Sequence, residues 1–286
     1  MTVSTVRLID AHHHLWDRRR ASYPWLGPHL PLLDREVLFG ELQPLLSRAG
    51  VTATVLVQGA DNDADTDFLL DQAAEHEEIA AVVAWIPLDE PDRAARRLAE
   101  LRRHPKFRGI RHGINAEPDP DWILRPAVSE GLRLLEDEGV PFDYVPVRRR
   151  HLELVPELVE RHPRLRIVID HLSKPPVRRE EREPWWTNIA RAAESPTVWA
   201  KVSGLMPAGG DFTVWSPDDL RPFVDRAVEA FGPSRLMWGS DWPVIDLAGG
   251  YERALDAARA LTADWSDADR AALFHDTAAA FYGIEQ

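Results

Sequence analysis

The chain has 286 residues, of which 44% are hydrophobic and 28% are charged, and its formal net charge is −13. This composition is typical of a globular protein rather than a disordered one. The strong negative charge argues against nucleic acid or an anionic membrane as a partner, because both bind basic surfaces. The absence of cysteine from the sequence excludes a disulfide framework, a thiolate nucleophile and a cysteine-ligated zinc ion.

The first residues of the sequence, MTVSTVRLIDAH, lack the basic flank and the long apolar run of a signal peptide. No apolar stretch of the sequence reaches the length of a membrane span. We therefore expect a cytoplasmic protein that acts on a small molecule, and the sequence leaves its oligomeric state open. A chain of this length can form one large core, so we predict a single domain over residues 1–286.

Eight short apolar runs, rich in valine and isoleucine, are predicted as β-strands, and they alternate with segments of helical periodicity. Several of the runs are apolar at successive positions, which is typical of parallel strands covered on both faces. In chain order the predicted strands are VRLIDAH (6–12), TATVLVQ (52–58), AAVVAWI (80–86), FRGIRH (107–112), PFDYVP (141–146), RIVIDH (166–171), VWAKVS (198–203) and RLMWGSD (235–241).

Amphipathic helices are predicted between these strands. The first covers 34–50 and ends at Gly50, a residue type that favours the left-handed backbone of a helix C-cap. In the segment 89–105, Asp89 is predicted to cap a helix that has Pro91 in its first turn. Further helices are predicted over 125–139, 149–163, 217–232 and 267–284.

Eight strand–helix units in a chain of this length indicate a (β/α)8 barrel, the TIM barrel fold of the α/β class. A doubly wound open sheet is the alternative, but such sheets typically have a glycine-rich turn after the first strand, where this chain has AHHHLWD. The segment 15–34 is too long for a tight turn. We expect it to be an insertion over the barrel mouth, and whether it moves as a lid is open.

The residues at the C-terminal ends of barrel strands form the active site, and the first strand ends at three histidines. Because side chains alternate along a strand, His12 and His14 should point to the barrel axis and His13 away from it. Two imidazoles on one face can bind a divalent metal ion or donate hydrogen bonds to a carbonyl group. Asp241, after the eighth strand, can face this pair as a metal ligand or as a general base.

Other strand ends supply further candidates. His171 follows the sixth strand, either as a member of the same site or as a core histidine, and Asp170 is expected to alternate away from it as a structural hydrogen-bond acceptor. A structural ion pair explains Arg111 or Lys201 as well as substrate binding does, and only one of Arg111 and His112 should face the site. The candidate substrate-binding residues are Gln58, Trp85, Arg111, His112, Lys201 and Trp242.

Three motifs together resemble the amidohydrolase superfamily: IDAHHHLW at 9–16, VIDHLSKP at 168–175 and WGSDWPV at 238–244. More narrowly, the chain resembles the lactonase branch of the amidohydrolase 2 family, which includes L-fucono- and L-rhamnono-lactonases and 2-pyrone-4,6-dicarboxylate lactonase. This resemblance implies a distorted (β/α)8 barrel that hydrolyses an ester or lactone. It also implies that Asp241 activates the attacking water, and that His12, His14 and His171 polarise the carbonyl group or help to hold a metal ion.

The sequence departs from the family at two places. His13 stands where the family often has glutamine. The fifth strand offers Asp143 and Tyr144 where many members supply a histidine ligand or a lysine that bridges two metals, which argues against a binuclear centre. One divalent ion such as Zn²⁺, bound by His12, His14 and Asp241, and a site without metal are the remaining alternatives.

The favoured hypothesis is a hydrolase that opens a small sugar-acid or organic-acid lactone, with Asp241 as general base for the attacking water. The oxyanion would be stabilised by protonated or metal-bound His12 and His14, or by His171. Two alternatives remain: a metal-dependent decarboxylase of a small unsaturated or aromatic acid, and a non-catalytic barrel that binds a small molecule.

Overall fold

The computed structural model describes residues 7–207 and 210–285, so Val6, the first residue of the first predicted strand, lies outside the described residues. Eight parallel strands form one sheet in which each strand pairs with the next along the chain. They are β1 (Leu8–His13), β2 (Val51–Val57), β3 (Ile79–Ala84), β4 (Phe107–His112), β5 (Phe142–Tyr144), β6 (Ile167–Ile169), β7 (Val198–Val202) and β8 (Leu236–Trp238).

The sheet closes on itself where β1 meets the segment that follows β8. The amide of Asp241 donates to the carbonyl of His12, and the amide of His14 donates to the carbonyl of Trp242, each at 2.8 Å. These bonds place the start of the chain beside its eighth strand, and the predicted (β/α)8 barrel is confirmed. Closure also fixes the position of Asp241, because its own backbone is part of the seam.

Helices surround the barrel between successive strands. The described helices are α1 (Phe39–Ala49), α2 (Asp63–Glu75), α3 (Pro91–Leu101), α4 (Pro126–Asp137), α5 (Arg149–Glu153), α6 (Val155–Arg161), α7 (Trp185–Ala193), α8 (Pro217–Phe231), α9 (Tyr251–Leu261), α10 (Asp267–Ala271) and α11 (Thr277–Tyr282). A π-helical turn, Ala272–Asp276, joins α10 to α11.

The predicted ends of the first helices are partly confirmed. Gly50 is the C-cap of α1 with φ of 75°, and its amide donates to two carbonyls of the last turn. Pro91 begins α3 as predicted, but the prediction that Asp89 caps this helix is wrong. The N-cap is Glu90, one residue later, and its side chain makes no capping hydrogen bond.

Two predicted helices are interrupted. The segment 149–163 forms α5 and α6, because Pro156 lacks the amide proton that would continue the hydrogen-bond ladder. The segment 267–284 contains α10, the π-helical turn and α11. Breaks of this kind leave the hydrophobic periodicity largely intact, so periodicity does not locate them.

The barrel interior below the site is a small apolar core that α11 closes. Phe281 and Tyr282 of α11 pack against it, and the Tyr282 hydroxyl donates to Asp143 Oδ2 at 2.8 Å. The strand residues of this core are Ile9, Ala11, Val55, Val57, Ala81, Val83, Val168 and Met237. The C-terminal helix therefore seals one end of the barrel, and the polar strand ends lie at the other.

The long segment between β1 and α1 supplies Trp25 to the lining of a cavity at the strand ends. Its two ends are joined by backbone hydrogen bonds between Trp16 and Val37, at 2.9 and 3.0 Å. Its middle is anchored where the Trp25 indole donates to the carbonyl of Gly59 at 2.7 Å. No helix within the described residues combines the length and the apolar character that crossing a membrane requires.

Candidate active site

The end of β1 delivers two imidazoles to the barrel axis. The Nε2 atoms of His12 and His14 lie 3.1 Å apart. His14 Nδ1 is 2.8 Å from the carbonyl oxygen of Val57, so this nitrogen must donate a proton, and Nε2 of the neutral ring is then an acceptor. His13 points away from the axis, with Nε2 3.0 Å from Thr54 Oγ1 and its ring towards Phe39 of α1, as strand alternation predicts.

Asp241 lies among three imidazoles. Its Oδ1 atom is 3.5 Å from Nε2 of His14 and 3.8 Å from Nε2 of both His12 and His171. Burial alone would raise the pKa of Asp241, but the Lys174 ammonium group beside it acts against burial, and the pKa lies well below its ordinary value. Asp241 is therefore an ionised carboxylate on the wall of the site.

The turn after β6 brings both Asp170 and His171 into the barrel. The residues His171, Leu172, Ser173 and Lys174 have φ of 55°, 48°, 62° and 47°, which is the left-handed region. This backbone interrupts strand alternation, so the prediction that Asp170 points away from His171 is wrong. Its predicted role as a structural acceptor is confirmed, because Asp170 contacts Lys201 Nζ at 3.2 Å and Arg111 Nε at 2.9 Å.

A fully buried ion cluster lies beneath the site. Lys201 Nζ is 2.5 Å from Asp143 Oδ2 and 3.0 Å from Nδ1 of His12. Burial would raise the pKa of Asp170, but Lys201 and His12 outweigh it and hold the pKa well below its ordinary value. The prediction that Lys201 binds substrate is therefore corrected, since this side chain is enclosed by Asp143, Asp170 and His12 and does not line the cavity.

Above the ion cluster is a cavity of about 610 Å³. His14, His171 and Asp241 line it, and so do two of the predicted substrate-binding residues, Gln58 and Arg111. Arg111 Nη1 donates to the carbonyl of Gln58 at 2.9 Å, and its Nε faces Asp170. Arg111 therefore forms a structural ion pair and also lines the cavity.

Three further predicted substrate-binding residues lie behind the cavity wall. The Trp85 indole donates to Nδ1 of His112 at 3.1 Å, and the His112 ring stacks on Trp122 with centroids 4.3 Å apart. Trp242 is 2% exposed and belongs to the core. The predictions for Trp85, His112 and Trp242 are corrected, because all three side chains are buried in the barrel wall and none of them lines the cavity.

Sequence reasoning missed two charged residues that line the cavity, Lys174 and Asp61. Lys174 Nζ lies 3.5 Å from Asp241 Oδ2 and donates to the carbonyl of Gly204 at 3.2 Å. Both residues lie three positions past the end of a predicted strand, where alternation no longer indicates direction. Both residues belong to polar segments that follow a strand, DHLSKP and QGADND, and this could have identified them.

Gly204 permits the close approach of Asp241 and His171. A Cβ at this position would lie 2.2 Å from Asp241 Oδ2 and 2.8 Å from His171 Nδ1, and the φ of Gly204 is +54°. A side chain is therefore excluded both by space and by backbone conformation. Because residue 204 has no side chain, the chain after the seventh strand can lie directly against Asp241 and His171.

The donor set of the site fits one divalent metal ion. Two ligands each about 2.0–2.1 Å from a tetrahedral zinc ion lie about 3.4 Å apart. The His12–His14 and His14–Asp241 separations of 3.1 and 3.5 Å are close to that value. His12, His171 and Asp241 also offer ligand atoms within 4.8 Å of one another.

A second group of possible ligands lies below the first and consists of His12, Asp143 and Asp170. The ammonium group of Lys201 contacts both carboxylates of this group, so a cation already lies among these possible ligands. The described residues thus favour a mononuclear site over a binuclear one.

Comparison with known proteins gives one family. A family model described as amidohydrolase matches residues 9–284. An L-fucono-1,5-lactonase from Burkholderia ambifaria is 40% identical over 245 residues, covering 85% of this chain and 82% of that protein. An L-fucono-1,5-lactonase from Burkholderia multivorans is 35% identical over 292 residues, covering 97% and 96%. A crystal structure of an amidohydrolase from Burkholderia multivorans with bound zinc has a TM-score of 0.90 and 34% identity, covering 98% of this chain and 100% of that one.

Proposed function

The chain belongs to the amidohydrolase family, and we propose that it is a hydrolase that opens a small lactone by attack of water on the ring carbonyl carbon. Two relatives that match most of the chain are named as lactonases, which supports this reaction class. The observation that carries the proposal is the position of Asp241, whose Oδ1 lies within 3.8 Å of three imidazole nitrogens on a cavity wall.

Asp241 is the proposed general base. Its lowered pKa keeps the carboxylate ionised and able to accept a proton from water at neutral pH. As the water oxygen bonds to the carbonyl carbon, the proton passes to Asp241. When the ring C–O bond breaks, Asp241 returns that proton to the leaving alkoxide, so the products are one hydroxy acid and the unchanged carboxylate.

A carboxylate with a low pKa is a weak base, so the rate must also depend on stabilising the oxyanion. Burial lowers the pKa of His171 to about 3 and that of His12 well below its ordinary value, which makes both rings neutral at pH 7. In this proposal His171 acts as a hydrogen-bonding group rather than as a cation. Lys174 and Arg111 are the cationic side chains on the cavity wall.

A metal ion, where bound, would be held by His12, His14 and Asp241, with His171 beside them. Such an ion lowers the pKa of a bound water and polarises a carbonyl oxygen. The ion cluster beneath offers Nδ1 of His12 two alternative partners. Asp170 Oδ1, at 3.4 Å, can accept the Nδ1 proton of the tautomer whose Nε2 is free to bind a metal ion, whereas Lys201 Nζ, at 3.0 Å, donates to Nδ1 in the other tautomer. The chain's own residues therefore supply the orientation of the ligands and a base.

The test is the Asp241→Asn variant on a panel of sugar lactones and pyrone dicarboxylate, followed with a pH indicator. We expect kcat/KM to fall by about 10²- to 10⁴-fold, because an amide cannot accept the proton from water. Asp246→Asn, five residues along the same segment, is the control and should keep its rate. A wild-type rate in Asp241→Asn would refute the assignment of Asp241.

Metal analysis of the same preparation, with rates before and after chelation, tests the metal site. The panel also includes aromatic carboxylic acids, which test the decarboxylase alternative. That alternative predicts a change in their ultraviolet absorbance and a complete loss of activity when metal is removed. A lactonase that keeps its rate without metal would exclude that alternative.

A further inference from the structure

A second carboxylate, Asp61, lines the cavity from the loop after β2. Its Oδ1 accepts hydrogen bonds from Gln58 Nε2 and from the amide of Gly113, both at 3.0 Å. Its side chain is 27% exposed, whereas that of Asp241 is 2% exposed. Asp61 is therefore held by the protein but still open to a bound molecule.

The position of Asp61 is built into the barrel wall. A Cβ on residue 113 would lie 2.8 Å from Asp61 Oδ2, so glycine at this position lets the carboxylate lie here without having to shift. Asn62, its neighbour on the cavity wall, has its side chain committed elsewhere, since Oδ1 caps α2 and Nδ2 donates to the carbonyl of Ser22 at 3.0 Å. In this loop, Asp61 rather than Asn62 can therefore accept a hydrogen bond from a bound molecule.

The negative charge of Asp61 is not neutralised by its ion-pair partner. That partner is His112, whose Nε2 lies 3.7 Å from Asp61 Oδ2. His112 Nδ1 accepts the indole proton of Trp85, so the neutral ring carries its proton on Nε2, which also lies 3.4 Å from Glu117 Oε1. His112 therefore leaves the charge of Asp61 uncompensated, and the two cations of the cavity wall, Lys174 and Arg111, are paired with Asp241 and Asp170 instead.

A carboxylate in a cavity discriminates between substrates by charge. It accepts hydrogen bonds from hydroxyl groups, and it repels an anionic substituent, because like charges in a partly water-excluded site interact strongly. We propose that Asp61 is the specificity-determining residue that selects neutral, polyhydroxylated lactones and excludes lactones with a carboxylate substituent. This inference rests on the proposed function, because it assumes that the ligand is a lactone.

The probes are pairs of sugar lactones that differ in one group: galactonolactone with galactarolactone, and gluconolactone with glucarolactone. Each pair exchanges a hydroxymethyl group for a carboxylate. We expect the wild-type enzyme to prefer the neutral member, and Asp61→Asn to raise the ratio of kcat/KM, carboxylate over neutral, by about tenfold or more. Asp61→Glu should keep the wild-type preference, and added salt should weaken it.

Asp89→Asn is the matched control, because Asp89 is an exposed carboxylate after β3 that does not line the cavity. Its ratio should equal that of the wild type. An unchanged ratio in Asp61→Asn, or an equal shift in Asp89→Asn, would overturn the role of Asp61.

Calorimetric binding of the same pairs to Asp241→Asn, with and without Asp61→Asn, measures selection without turnover. If the wild-type enzyme hydrolyses no lactone but binding preference still follows Asp61, the proposed function fails while the charge selection stands. If hydrolysis depends on Asp241 and the preference ignores Asp61, the reverse holds. If no lactone of either charge binds, both proposals fail.

Discussion

The end of β1 and the turn after β6 both deliver histidines to Asp241, and they do so by different backbone geometry. In β1 the extended chain places His12 and His14 on one face, with His13 on the other. After β6 the chain enters four consecutive left-handed residues, which turn His171 and Lys174 towards the same carboxylate. The arrangement at β1 follows from strand alternation, and the arrangement after β6 depends on a strained backbone.

The strained turn is held by its surroundings. A left-handed conformation costs a residue with a Cβ roughly 1–2 kcal/mol. Two short hydrogen bonds fix the turn at its middle, from Trp185 Nε1 to the carbonyl of Leu172 and from Ser173 Oγ to the carbonyl of Pro146, both at 2.6 Å. The comparison teaches that the backbone on the β6 side of the site depends on tertiary contacts, whereas the direction of the side chains on the β1 side follows from the extended strand.

The largest effect should come from Gly204→Ala, which would push apart Asp241 and His171. A Cβ 2.2 Å from Asp241 Oδ2 forces one of the two side chains to move. Because displacements of about 1 Å at a reaction centre can reduce rates by about 10²-fold, we expect kcat/KM to fall by at least that factor. The measurement is lactone hydrolysis, with unfolding in urea as a check of the fold.

Gly40→Ala in α1 is the control for this change. A Cβ at Gly40 meets nothing within 4 Å, and its φ lies outside the left-handed region. This variant should keep its activity. Near wild-type activity in Gly204→Ala would instead show that the β6 turn tolerates displacement and that the comparison between the two regions is wrong.

A smaller effect should appear in the pH dependence of stability. Burial lowers the pKa of His13 to about 3, so the folded chain keeps this ring neutral while the unfolded chain protonates near pH 6.5. The contribution of His13 is therefore fully present above pH 6.5 and is lost as the pH falls towards 3, at about 1.4 kcal/mol per pH unit. Asp10 acts in the opposite direction, because burial raises its pKa from 3.8 to about 6.

The variant His13→Gln isolates this contribution. We expect the difference in unfolding free energy between the wild type and His13→Gln to shrink by about 1.4 kcal/mol for each unit between pH 6 and pH 4. Urea titrations at three pH values measure it. A difference that does not change with pH would mean that His13 is protonated in the folded state. Burial also lowers the pKa of His171 to about 3, so this residue should contribute the same change in unfolding free energy with pH.

The smallest effect should come from the backbone of the turn itself. Residue 174 has φ of 47°, so Lys174→Gly should be more stable than Lys174→Ala by about 1 kcal/mol, since both lose the ammonium group and only alanine keeps the left-handed penalty. Inside a regular helix glycine is instead less favourable than alanine, so Ala95→Gly in α3 should lower the free energy of unfolding by about 1 kcal/mol. Urea denaturation measures all of these variants. Equal stability of the two Lys174 variants would show that the turn is unstrained.

The same contrast explains how much could be predicted from sequence. Strand number, barrel topology and the facing of His12, His13 and His14 follow from periodicity and alternation. The facing of Asp170 could not be predicted, because alternation fails where φ becomes positive. The burial of Lys201 could not be predicted either, since its partners come from the ends of three other strands that only the closed barrel brings together.

Substrate-side residues were the least predictable part of the site. Trp85 and His112 occupy strand ends as predicted, but His112 stacks on Trp122 and Trp85 donates to His112, so both side chains belong to the wall. Asp61 lies in the loop after β2, and its carboxylate is held by the amide of Gly113, which follows β4. Such contacts are long-range in sequence, so no local pattern contains them.

The full burial of Lys201 has a practical consequence for chemical labelling. The sequence contains three lysines, Lys106, Lys174 and Lys201. Lys201 is sealed from solvent, and the amino group of Lys106 is occupied by two backbone carbonyls at 2.6 and 2.8 Å. Among the lysine side chains, amine-selective acylating reagents should therefore modify Lys174 first, which would attach a dye or an affinity handle at the cavity without any engineered cysteine.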